Sequence, residues 1–135
     1  MKKVNGVIVT TAFCLLVPAK PLLAHHSFMA EFDQKKPFEV TGVVTKIEWQ
    51  NPHAFFYLDA RDQAGNVVKW SFETATPSAL TRRGWNRESV KIGDRITVQG
   101  YLAKHRSNFA AARSVTMADG HRVFTGSMDD GGPQK

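Results

Sequence analysis

A chain of 135 residues holds one domain and little else. Its 18 basic and 12 acidic residues give a formal charge of +6, but three of the basic ones, Lys2, Lys3 and Lys20, lie within the first 24 positions. A product without those positions keeps 15 basic against 12 acidic residues, a charge of +3, which is too mild to call for a nucleic-acid partner.

The first segment reads as a secretory signal. Lys2 and Lys3 supply a positive start, Val7 to Val17 form an apolar run, Pro18 breaks any helix, and small residues follow at Ala19 and Ala24. The run is too short to span a bilayer. Two cleavage points are open. Cutting after Ala19 leaves Lys20-Pro21 at the start of the product, whereas cutting after Ala24 leaves His25-His26-Ser27-Phe28, and the second is expected. Residues 1–24 are therefore read as a signal peptide, and the product as periplasmic or secreted. The only cysteine, Cys14, lies inside the apolar run, and Phe13 before it matches a lipoprotein cleavage box poorly. The mature chain then has no disulfide, although its compartment would permit one, and its stability must come from its core.

Residues 25–36 read as an irregular arm. Phe38 to Trp49 is β-branched and reads as a first strand, with Gly42 allowing a bend or bulge. Asn51-Pro52 signals a turn. From His53 to Ala60 the chain alternates, with Ala54, Phe56, Leu58 and Ala60 on one face and His53, Phe55, Tyr57 and Asp59 on the other. A loop at Gln63 to Asn66 leads into a third strand, Val67 to Glu73, with Val68, Trp70 and Phe72 on a common side. Thr76 as N-cap, Pro77 at the first position and Gly84 as terminator predict a short helix, with Arg82 and Arg83 in its last turn. Further strands are expected at Arg95 to Ala103, near Ala111 to Met117 and around Arg122 to Phe124, followed by a disordered tail over 126–135. Three strands, a short helix and two more strands is the order of a small five-stranded OB-type barrel, here spanning 37–125. A split β-sandwich is the alternative.

Three spaced landmarks, His25-His26-Ser27-Phe28, Trp49-Gln50-Asn51-Pro52-His53, and Arg82-Arg83-Gly84-Trp85 followed by Lys91-Ile92-Gly93-Asp94, resemble those of a bacterial secreted family classed as a domain of unknown function. The resemblance spans essentially the whole mature chain. It implies a small exported OB-like domain and carries no activity with it.

Chemistry must therefore be sought in the residues. With cleavage after Ala24, His25 offers an α-amine and an imidazole that chelate one metal, and a second imidazole completes a T-shaped nitrogen set suited to Cu(II). His53 and His26 are the candidates for that second imidazole, and His53 begins the strand face shared with Phe55 and Tyr57. Whether the arm reaches that face is not legible in the sequence. His105 and His121 have no evident partner. A second constellation is aromatic and basic: Trp49, Phe55, Tyr57, Trp85 and Tyr101 with Arg82, Arg83 and Arg95, a face that could stack a ring while arginines hold an anion. Its bland counterpart has Trp49 and Trp85 plugging the barrel ends. No cysteine nucleophile, zinc helix, phosphate loop or dinucleotide fingerprint occurs in the mature chain, and Glu31 and Asp33 in the arm lack fixed geometry for acid–base work. The sequence points to a binding protein. It either holds copper at His25, His53 and His26, or works without metal on a partner protein or small anionic ligand through Trp49, Phe55, Tyr57, Arg82, Arg83 and Trp85.

Overall fold

The computed structural model describes residues 28–126; the signal segment, His25, His26 and the tail from 127 lie outside the described residues. The elements in chain order are α1 (Phe28–Glu31), β1 (Phe32–Glu48), β2 (Phe55–Arg61), β3 (Val67–Glu73), α2 (Pro77–Arg82), β4 (Arg95–Ala103), β5 (Phe109–Met117) and β6 (Arg122–Phe124). The sheet is mostly antiparallel, and five of its strands pair in the cyclic order β1-β2-β3-β5-β4. The link that closes this ring is parallel, with Ser71, Phe72 and Glu73 matched to Phe109, Ala110 and Ala111. This is the strand order expected of an OB-type domain, with β6 added outside β5. Among the described residues no helix is long and apolar enough to cross a membrane.

β1 serves two neighbours, pairing with β4 along its first part and with β2 along its second. Both pairings meet at Gly42, which faces Ala60 on one side and Ile96 on the other. A Cβ there would stand 2.8 Å from the Asp59 carbonyl oxygen, so the close approach of the two strands requires glycine.

The alternation read in β2 is the clearest link from sequence to packing. Ala54, Phe56, Leu58 and Ala60 are all buried, and the first three meet Phe72, Ile96, Val98 and Val115 in the interior. Burying each of the Phe, Leu, Ile and Val side chains among them contributes about 1.5–3 kcal/mol. The loop after β2 is closed by the Asp62 carboxylate, which accepts the Ala64 and Asn66 amides at 2.9 and 2.8 Å. Those bonds, chiefly with Asn66, hold the Asp62 carboxyl below its ordinary range.

α2 covers part of this interior. Thr76 is its N-cap, with Oγ1 accepting the Ala79 amide at 3.1 Å, and Pro77 opens the first turn. Gly84, at φ +88°, then turns the chain back so that the Trp85 amide donates to the Leu80 carbonyl and the indole enters the core. Replacing Thr76 by alanine removes the cap, and urea denaturation is expected to show a loss of about 1 kcal/mol.

One expectation is overturned at the start of the domain. The stretch taken for an irregular arm is ordered from Phe28 onward, as a helical turn and the first part of β1. Phe32 opposes Ala103 and Pro37 opposes Tyr101, with the polar residues between them accommodated by an irregularity in the ladder. A second apolar cluster supplies the reason. Phe32, Phe109 and Ala111 are buried together, and Phe28, Phe55 and Tyr101 pack against them. Phe28 lies 5.0 Å from Phe32 and 6.1 Å from Tyr101, ring centre to ring centre. The Lys104 amide adds a bond to the Glu31 carbonyl at 2.8 Å.

Candidate functional site

The folding-back of α1 brings three ionisable side chains from separate elements toward one corner of the sheet. His53 lies in the segment entering β2, and Glu73 ends β3 opposite Phe55. Glu31 ends α1, close enough for its charge to act on Glu73. The His53 Nδ1 stands 3.0 Å from the Thr74 carbonyl oxygen and 3.4 Å from Glu73 Oε1. A carbonyl oxygen only accepts, so the short contact makes Nδ1 the N–H donor. In the neutral ring the lone pair then lies on Nε2. A histidine whose Nδ1–H is tied to a carbonyl or carboxylate in this way is oriented for metal ligation through its other nitrogen.

Glu73 is mostly buried, and burial pushes its carboxyl above the ordinary range; His53 opposes that shift, Glu31 reinforces it and Arg106 opposes it. Arg106 is held nearby, with its guanidinium 4.0 Å from the centre of the Phe109 ring. A carboxyl raised in the folded state favours folding when protonated, and that contribution is lost as pH climbs from the ordinary glutamate value, about 4.3, through the folded one. Glu73→Gln is therefore expected to raise the melting temperature at pH 7. The gain should fade below about pH 4, where the unfolded chain is protonated as well.

The aromatic and basic residues singled out in the sequence do not form one face. Trp85 is 2% exposed and stacks on Phe56 at 5.6 Å, so its ring offers no surface to a ligand. Trp49 is partly buried against the same core. Phe55 packs into the second cluster beside Phe28. Tyr57 donates to Glu48 at 2.7 Å, and the Lys46 ammonium, itself bonded to Glu48, sits 5.0 Å from the Tyr57 ring centre. The Glu48 carboxylate thereby raises the Tyr57 phenol above its usual value. Arg82 and Arg83 are exposed at the end of α2. His25 and His26 lie outside the described residues, and in the sequence Ser27 separates them from α1. Among the described residues no group of three or more His, Cys, Asp or Glu side chains is arranged to hold a metal ion.

Sequence reasoning missed Glu73 as the neighbour of His53, and Glu31 and Arg106 as the charges acting on Glu73. Glu73 carried a usable signal, a charged residue ending an apolar strand, but its partners come from distant parts of the chain.

Among curated proteins, none matches the chain. A family model, described as a family of unknown function (DUF6152), matches residues 13–112, well over half of the sequence. The chain belongs to that family of unknown function.

Proposed function

We propose that this protein is an exported binding module that holds a copper ion between a new N-terminus at His25 and the imidazole of His53, for handling, sensing or delivery of the metal. The observation that carries the reading is the tethered His53 ring. Its Nδ1 is engaged by Thr74, which directs the lone pair of the neutral ring to Nε2. Among the described residues His53 lacks the company of two further ligands, so the reading draws the rest of the set from the segment before Phe28. That segment leads into α1, whose Glu31 acts electrostatically on Glu73, the residue in contact with His53, and three residues span at most roughly 10 Å. The amine and imidazole of His25 with the imidazole of His53 form an all-nitrogen set suited to Cu(II), and His26 is the alternative second imidazole.

An intact-mass measurement on protein recovered from its native export route, with and without added copper, tests both parts. The expected mass begins at His25 and retains one copper per chain after desalting. A mass beginning at Lys20, or a His25 start that keeps no copper, would remove the N-terminal chelate.

A further inference from the structure

The stretch from the end of α2 to the start of β4 carries the charge excess of the domain. Of the 15 basic and 12 acidic residues after position 24, five basic and two acidic lie between Arg82 and Arg95, which leaves ten of each elsewhere. We propose that this stretch docks the domain on an anionic phospholipid surface, with its arginines on the headgroups and Ile92 entering the interface.

Burial divides the stretch into two sides. Leu80, Trp85 and Val90 are buried in one core cluster, and Ile96 continues it in β4. Between these buried residues Arg82, Arg83, Arg87, Lys91, Ile92 and Arg95 are all exposed. With the inward residues set in one core, the outward ones share the solvent side of a single crossover. Backbone bonds fix its last part. The Gly93 amide donates to the Val44 carbonyl at 2.8 Å, and the Val44 amide donates to the Asp94 carbonyl at 2.9 Å. The turn that holds Ile92 is thereby tied beside Val43, which faces Arg95 in the ladder. Ile92 is 70% exposed, more than any other large apolar side chain among the described residues, and Val43 is exposed as well.

The charge on this side is open to an outside anion. Glu88 is paired with Lys91 at 3.5 Å, and the Asp94 carboxylate accepts the Lys91 amide at 2.8 Å. Among the described residues no carboxylate pairs with Arg82, Arg83, Arg87 or Arg95. A guanidinium meets a phosphate with a planar fork of donors. A protein partner would draw its affinity chiefly from aromatic anchors, and the one aromatic ring of this stretch, Trp85, is buried. A lipid surface asks for less. It needs cations beside the headgroups and an apolar side chain free to leave water, and the crossover presents both.

The test sediments the chain beginning at His25 with vesicles of phosphatidylcholine alone, or of phosphatidylcholine mixed equally with phosphatidylglycerol, at low salt. Binding to the mixed vesicles is expected, with little to the neutral ones, and added salt should weaken it. The double variant Arg83→Gln, Arg87→Gln should bind about twentyfold more weakly, at roughly fivefold per cation. Ile92→Ser should weaken binding about tenfold, the scale of one aliphatic side chain leaving water. A charge-matched control, Lys35→Gln with Lys36→Gln, removes two exposed cations elsewhere and should bind nearly as the parent does. All these positions are exposed, so each variant should melt close to the parent. No preference for the mixed vesicles, an equal loss in the two double variants, or parental binding by Ile92→Ser would overturn the proposal. Binding of polyglutamate without binding of the mixed vesicles would overturn it too, and would assign the surface to an acidic protein.

Discussion

Replacing Gly100 with alanine is expected to lower stability by at least about 3 kcal/mol, the upper end of the usual cost of overpacking, or to prevent folding. A Cβ at this position would fall 1.8 Å from the Ala111 carbonyl oxygen, 2.9 Å from its carbon and 3.2 Å from the Ala112 Cα. All three atoms are backbone, so no side chain can swing aside. The backbone that would have to move is also committed elsewhere, because Ala111 pairs with Glu73 across the parallel link that closes the ring. Gly42→Ala should cost less, since its nearest contact would be 2.8 Å, from the Asp59 oxygen. Urea denaturation of the two variants checks the order. A Gly100→Ala chain as stable as the parent would contradict the register of β4 and β5, which sets Gly100 opposite Ala112.

Trp85→Ala should cost about 3–5 kcal/mol, as expected when a large buried aromatic is truncated. The ring is almost fully enclosed, stacks on Phe56 and sits among Leu80, Val90 and Ala75. Marginal domains of this size have about 5–15 kcal/mol to lose, so the variant should be partly unfolded at modest denaturant concentration. Trp85→Phe separates packing from hydrogen bonding. Among the described residues the indole N–H has no partner, so phenylalanine gives up volume without breaking a bond. Its loss should be clearly smaller than that of alanine. Circular dichroism in urea reads both, and a stable Trp85→Ala would mean that the indole does not fill the core.

Much of this architecture is legible in the sequence because it depends on short-range rules. The strict alternation from Ala54 to Ala60 can bury only one face, and it does. Thr76, Pro77 and Gly84 bracket α2 through backbone chemistry that needs no tertiary partner. The early start of β1 was hidden for the opposite reason. Asp33 to Pro37 is polar and ends in proline, which reads as a loop. Only the burial of Phe32 against Phe109, far along the chain, makes that stretch part of a strand. Trp85 was ambiguous because Arg82 and Arg83 beside it suggest a surface, and the left-handed turn at Gly84 sends the indole into the core while both arginines stay exposed.

The sites divide in the same way. His53 stood out as a histidine at the start of an alternating strand, but its bond to Thr74 and its contact with Glu73 depend on the pairing of β2 with β3.

The most direct test of the copper reading is a Cu(II) titration of the chain beginning at His25, compared with the same chain carrying His53→Ala and with one extended by a residue before His25. One tight equivalent is expected for the parent. Both changes remove a ligand, so each should weaken affinity by more than the roughly 10–100-fold that loss of a mere supporting partner costs, with the melting temperature of the metal-free chain unchanged by the extension and lowered modestly by His53→Ala, which gives up the bond to Thr74. Equal affinity in all three would contradict a shared site at His25 and His53.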